Sequence, residues 1–253
     1  MRASVIFLPG IILPADLAFA VLREELPAWV DPVVKDLEIY AHGEPPADYG
    51  LDLEIEGVLR AADEARFERF HLMGYSGGGA VAFAFTAAHP ERIESLALLE
   101  PAWLGNDDMG PGELRTRAEL DEAAKLPPDA RLAEFTRIQL APGVEPPPRP
   151  DGPAPEWMRT RPAGIAAIMR AFARTHVDVD VLRAIDVPVY YALGGRSNAD
   201  FFGEMAERCR SIFSDFTLEV FPERHHFDPP HRIEPERLVS ALEALWERAS
   251  RAR

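Results

Sequence analysis

Cysteine and lysine are almost missing from this chain. Cys209 is the single cysteine in 253 residues, so no intrachain disulfide can form and the fold must rest on its core. It lies in a helical pattern among charged neighbours and reads as structural. Lysine occurs at Lys35 and Lys125 alone, which argues against a Schiff-base mechanism. Positive charge is scarce overall: 27 Lys and Arg stand against 42 Asp and Glu, a formal net charge of −15. Such a surface repels phosphate backbones and anionic membranes, so neither nucleic acid nor a membrane is an expected partner. Long apolar runs are missing too. The run near the N-terminus is broken at Pro9-Gly10, too early for a secretion signal or a membrane span. A cytoplasmic location is the expectation. What the chain does have is 47% apolar residues, enough for an extensive core in one large α/β domain or in one domain with a sizeable insertion.

Strand and helix signals alternate along the first part. Val5–Leu8 reads as a strand. Leu17–Leu26 reads as a helix with Leu17, Val21, Leu22 and Leu26 on one face. Pro32–Tyr40 reads as the next strand. Leu51–Phe67 follows as an amphipathic helix with Leu51, Ile55, Val58 and Leu59 inward. Phe70–Tyr75 and Ile93–Leu99 are strands flanking a small-residue helix, Ser76–Ala88, which is apolar on every side and so expected to be buried. After Pro101 the rhythm stops. Helical patterns at Gly112–Lys125, Asp129–Leu140 and Pro162–His176 surround a proline-rich connector from Pro142 to Pro155. Alternation returns with Val187–Leu193 (strand), Asp200–Ile212 (helix), Phe216–Phe221 (strand) and Pro235–Arg248 (helix). This order predicts an α/β fold: a mostly parallel sheet flanked by helices, built from residues 1–103 and 184–253. The helical insertion, residues 104–183, would sit above the carboxyl ends of the strands, where such sheets bind ligands.

The most informative segment is Gly74-Tyr75-Ser76-Gly77-Gly78. A bare Gly-x-Ser-x-Gly is a weak signal, equally compatible with a flexible turn whose serine caps a helix. Its place between a strand pattern and a helix pattern gives it weight. A chain reversing that sharply strains the serine backbone, and its neighbours must lack side chains to let helix and strand approach. The hydroxyl is then held out at a helix start, where N–H groups can face a developing oxyanion.

With Leu8-Pro9-Gly10-Ile11 before it and His226-Phe227 after it, this motif makes the whole chain resemble an α/β-hydrolase with a helical cap. Members commonly carry two further antiparallel strands first, so the resemblance implies a shortened sheet. It also implies the order nucleophile, acid, histidine, with Ser76 as nucleophile and His226 as base; His225 is the alternative base. Relatives usually place the acid just after the strand at Val187–Leu193. Here Gly194-Gly195-Arg196-Ser197-Asn198 stands instead, with no acid before Asp200. Glu100, at the end of the strand beside the serine, is therefore the expected acid. Asp200, Asp107, Asp108 or no acid at all are the other readings. The backbone amides of Gly77 and Ile11 would form the oxyanion hole, and Tyr75, Ile12, Trp103 and Trp157 would line the pocket. Aromatic and Met residues of the insertion can equally form its own core. The implied activity is hydrolysis of a carboxylic ester or related acyl compound, on a small apolar or aromatic substrate, without metal or organic cofactor. Cleavage of a carbon–carbon bond, a lactone or a thioester by the same triad is the nearest alternative. A non-catalytic ligand-binding protein of this fold is a further one. Dehalogenases of the family use an Asp nucleophile, which Ser76 disfavours.

Overall fold

The computed structural model describes residues 2–148 and 152–251. The elements are β1 (Ala3–Leu8), α1 (Ala15–Ala18), α2 (Ala20–Glu25), β2 (Val30–Val34), α3 (Leu51–Glu64), β3 (Phe70–Tyr75), α4 (Gly77–Ala88) and β4 (Ile93–Leu99). Then come α5 (Pro111–Ala123), α6 (Pro128–Ile138), α7 (Arg161–Arg174) and α8 (Val179–Ala184), followed by β5 (Val189–Gly194), α9 (Glu204–Ile212), β6 (Phe216–Phe221), α10 (Pro230–Ile233) and α11 (Pro235–Arg251). Six strands form one sheet in the order β2-β1-β3-β4-β5-β6, and every neighbouring pair is parallel. The order reverses direction at β1, which has β2 on one side and β3 on the other. This is the kind of switch point at which open α/β sheets bind ligands.

Side chains alternate across the strands with period two. Ile6, Leu8, Leu72, Leu96 and Leu98 point to the α3/α4 face, where they meet Val58, Val81, Phe83 and Phe85. Val5, Phe7, Met73, Ala97 and Leu99 point to the other face, against Phe19 and Leu22, and Leu238, Leu242 and Trp246 of α11. Each large apolar side chain fully buried in these layers contributes roughly 1.5–3 kcal/mol. Helix α4 is buried from Gly77 through Thr86, as its uniformly small and apolar sequence requires.

Three local readings are corrected. The helix expected at Leu17–Leu26 is two short helices meeting at Phe19. Leu17 and Val21 are 54% and 44% exposed, and Ala18, Phe19 and Leu22 are buried instead. The buried positions Ala15, Ala18, Phe19 and Leu22 keep helical spacing, so a different face, the one carrying Phe19, turns inward. The strand expected at Pro32–Tyr40 ends at Val34, and Glu38–Tyr40 is a 3-10 turn. Its cause lies in a distant residue: the buried Glu54 carboxylate accepts the amides of Glu38 (2.8 Å) and Ile39 (2.9 Å). The helix expected from Asp200 begins with a wide turn at Ala199–Gly203 before α9. The inserted segment carries helices α5 to α8, and an antiparallel bridge joins Leu140 to Ser197. Part of the proline-rich connector, residues 149–151, lies outside the described residues. No helix among the described residues is long and apolar enough to cross a membrane.

Candidate active site

The end of β1 and the end of β3 lie side by side, with Leu8 in register with Gly74. This brings residues 9–12 against the turn at Ser76. Close approach is what the glycines allow. A Cβ on Gly78 would stand 2.4 Å from the carbonyl oxygens of Leu8 and Pro9, and one on Gly74 would stand 2.3 Å from the Gly78 oxygen. Ser76 itself has φ 52° and ψ −116°, a sparsely populated region that costs a non-glycine residue of order 1–3 kcal/mol. Three backbone bonds offset that strain. The Ser76 amide donates to Leu99 O (3.1 Å), and its carbonyl accepts the amides of Ala80 (3.1 Å) and Ala102 (2.9 Å).

The Ser76 hydroxyl lies 3.1 Å from Nε2 of His226, and Nδ1 of that ring lies 3.0 Å from Oε2 of Glu100. All three residues are buried. Glu100 immediately follows β4 and has φ 42°, a left-handed kink that turns its side chain across the end of β5. There the Gly194 amide donates to Oε1 at 2.8 Å, which fixes the carboxylate with its other oxygen toward the histidine. His226 follows β6 in a loop. Phe202 stacks on its ring at 4.6 Å, Phe227 meets it edge-on at 5.2 Å, and its carbonyl accepts the Tyr75 hydroxyl.

His225 and Asp200 do not join this line. The His225 Nδ1 sits 3.0 Å from Asp228. Asp200 forms a solvent-exposed ion pair with Arg115 at 2.7 Å. Asp107 and Asp108 are also on the surface, 3.8 Å from His176 and 3.7 Å from Arg183.

Ile11 adjoins the serine turn: its amide nitrogen is 3.5 Å from where a Gly77 Cβ would be. Among the described residues the amides of Ile11 and Gly77 donate to no protein acceptor. Ile168 of α7 closes over the same point, with Cδ1 3.6 Å from that Gly77 position. Two unpartnered N–H groups, a base within reach of a hydroxyl and a carboxylate behind the base form a set able to stabilise a tetrahedral oxyanion.

The lining residues fare differently. Tyr75 is half-buried, but its hydroxyl is committed to His226, so it supports the histidine rather than offering a free donor. Trp103 is 0% exposed. It stacks on Phe172 at 5.4 Å and donates Nε1–H to Asn106 at 2.9 Å: it is core, as a large flat side chain at the root of an inserted segment is apt to be. Trp157 is half-buried. It lines a cleft of about 850 Å³ together with Pro14, Lys35, Tyr40, Arg60 and Arg161, whose walls do not include Ser76, Glu100 or His226. Ile12 is half-buried beside Ile11, and its carbonyl accepts Nε–H of Arg161 at 2.7 Å.

Four neighbours were not anticipated: Tyr40, Arg161, Phe202 and His231. The first three act through contacts across the fold, which no local pattern announces. His231 is 0% exposed, with its ring 4.8 Å from that of Tyr75 and 5.2 Å from that of Phe19. Burial, aided by the charge of Arg232 and by His226, pushes its pKa down to about 3, so it is neutral at ordinary pH. Cys209 is buried, and burial raises its thiol pKa well above the ordinary value, which leaves it inert.

Comparison with known proteins agrees with this architecture. Residues 45–228 match the model of the alpha/beta hydrolase fold family, and the chain belongs to that family. A 2-hydroxymuconate semialdehyde hydrolase of Pseudomonas sp. (strain CF600) is 32% identical over 72 residues, 28% of this chain and 25% of that protein. That match spans only a quarter of the relative's length. Among solved structures, a bacterial membrane phospholipase A has a TM-score of 0.71 at 19% identity, covering 98% of this chain and 80% of that one. An esterase of Thermogutta terrifontis has a TM-score of 0.68 at 20% identity, covering 98% and 91%. At these identities the likeness is one of fold.

Proposed function

We propose that the chain is a serine hydrolase of carboxylic esters or related small acyl compounds, using Ser76, His226 and Glu100. The observation that carries this reading is the hydrogen-bonded line from Glu100 through His226 to Ser76, facing the unpartnered amides of Ile11 and Gly77. Nε2 of His226 takes the hydroxyl proton as Oγ attacks the acyl carbon. The carbonyl oxygen becomes an oxyanion held by the Ile11 and Gly77 amides. His226 then protonates the leaving alkoxide, and the acyl group stays on Ser76. Water, deprotonated by His226, attacks that ester and releases the acid and the free serine. Glu100 holds the ring with its Nδ1 proton inward and stabilises the imidazolium; the Gly194 amide holds Glu100.

Ile11 and Ile168 at the serine turn support an apolar acyl group. The contact of α7 with the turn supports a capping role for residues 104–183. A cytoplasmic location is the accompanying reading, supported by one free, buried cysteine. Carbon–carbon bond hydrolysis is the second reading, favoured by the partial match to a semialdehyde hydrolase. The test is product analysis on aryl esters of graded acyl length, thioesters, lactones and a vinylogous diketone. Turnover of short esters, abolished in Ser76→Ala, supports the first reading. Turnover of the diketone with esters inert transfers the same residues to the second. A folded protein that turns over none of them overturns both.

A further inference from the structure

Side chains hold the loop after β1 along its length. The Ile11 carbonyl accepts the Tyr40 hydroxyl at 2.7 Å, and the Ile12 carbonyl accepts Nε–H of Arg161 at 2.7 Å. Further on, Asp36 accepts the Ala15 amide at 2.7 Å. Tyr40 and Arg161 also hold each other: the guanidinium carbon lies 3.7 Å from the centre of the Tyr40 ring. The two come from distant parts of the sequence, and the 3-10 turn and α7 pack against each other. Tyr40 ends the 3-10 turn that Glu54 ties to α3. Arg161 is the first residue of α7 and is buried. The same helix makes room for the arrangement, since a Cβ on Gly164 would stand 2.3 Å from the Tyr40 hydroxyl oxygen.

We propose that Tyr40 and Arg161 are positioning residues for the oxyanion hole, aiming the Ile11 amide by clamping the two peptide units that follow it. The proposal rests on the hydrolase reading above. An oxyanion donor is effective only when it is aimed before charge develops, so that no reorganisation is needed at the moment of reaction. The Ile11 N–H belongs to a loop peptide outside helix and sheet, and its direction follows the torsions at residues 10 and 11. Fixing the carbonyls of Ile11 and Ile12 fixes the planes on its C-terminal side. Burial holds the Tyr40 phenol above its usual pKa, so it remains a donor at any working pH. Because Arg161 rides on α7, the clamp is complete only with the inserted helices seated on the core, which links that seating to the aim of the hole.

The test compares wild type, Tyr40→Phe, Arg161→Lys, Arg161→Met and Gly164→Ala on an aryl acetate. Tyr40→Phe removes one oxygen and keeps the ring under the guanidinium, so it serves where the bolder variants fail to fold. Removing a whole oxyanion donor costs about 10²–10³ in kcat, so mis-aiming one is expected to cost roughly 10-fold or more. KM should stay within about threefold, and Arg161→Lys should restore part of what Arg161→Met loses. The Ki of a trifluoromethyl ketone, whose adduct carries the oxyanion, should rise by the same factor as kcat/KM falls. Affinity for the product acid should not change. Unchanged kcat in Tyr40→Phe overturns the proposal. So does a loss confined to KM, which would make Arg161 a substrate ligand, or a kcat loss without the matching rise in Ki. Amide hydrogen exchange over residues 8–18 is measured in parallel and needs no turnover. Faster exchange in Tyr40→Phe is expected, and unchanged exchange overturns the clamp even if the hydrolase reading fails. Absence of turnover in wild type, by contrast, counts against the hydrolase reading alone.

Discussion

At the scale of single residues, the assignment of the acid is the sharpest claim. Glu100 and Asp200 both follow strands that border the site, and only Glu100 reaches the histidine, at 3.0 Å. Glu100→Gln keeps the shape and removes the charge that orients the imidazole. We expect kcat to fall by about 10²–10⁴ on an aryl ester, in line with the loss seen when a triad acid is neutralised. Asp200→Asn should stay within about twofold, because it loses only an exposed ion pair. The reverse pattern would move the acid to Asp200. Glu100 stands out in the sequence as the candidate because a missing carboxylate after one strand coincides with a present one after another. Ser76 and His226 stand out as candidates because each lies in a short motif with a steric or chemical reason. Tyr75, Trp103 and Trp157 are hard to place from the sequence for a shared reason: aromatic side chains are suited to pockets and to cores alike, and only packing decides. Tyr40 and Arg161 left no signal, since their partners lie 29 and 149 residues away.

At the scale of elements, strands β3 to β5 and helix α4 follow their apolar patterns closely because each is buried along most of its length. β2 is an edge strand containing Pro32, and its end is dictated by Glu54, a helical residue that reads locally as surface. The inserted helices were legible as helices, but not their anchoring. Glu204 of α9 accepts the amides of Gly112 (3.0 Å) and Glu113 (2.8 Å) at the start of α5. Arg208 of α9 pairs with Glu113 at 2.7 Å, with both side chains buried. Burial raises the Glu113 pKa and Arg208 opposes the rise. Arg208→Met should therefore cost about 3–5 kcal/mol, since it strands a buried carboxylate. The double variant Arg208→Met with Glu113→Leu should recover much of that loss. Urea unfolding of the three proteins measures it. A loss below about 1 kcal/mol in the single variant would mean that the pair does not anchor α5.

At the scale of the whole molecule, acid stability reports on the buried histidine behind the site. His231 has a folded pKa of about 3, below the ordinary histidine value near 6.5. Above pH 6.5 it is neutral in both states and contributes no pH dependence. As pH falls from 6.5 toward 3 the unfolded chain takes up a proton that the folded chain refuses, so stability declines. Glu54 and Glu113, whose pKa values burial raises, contribute with the opposite sign, so the comparison must be with a single variant. Relative to wild type, His231→Leu should gain about 2–3 kcal/mol on going from pH 7 to pH 4.5, measured by urea unfolding at both values. An unchanged difference would mean that His231 is protonated in the folded state. The fold class was legible at this scale because 47% apolar residues in alternating strand and helix patterns leave few other solutions. The cleft beside the loop after β1 was not, because it is made by elements that meet only when the chain is folded.

The proposed hydrolysis depends on Ser76 being a nucleophile activated by His226. Intact-mass analysis after treatment with a fluorophosphonate tests it most directly, on wild type, Ser76→Ala and His226→Gln. One adduct per wild-type chain is expected, none on Ser76→Ala, and labelling slowed by at least about 10²-fold on His226→Gln. A folded wild type that takes no adduct, or a Ser76→Ala protein that still takes one, would contradict it.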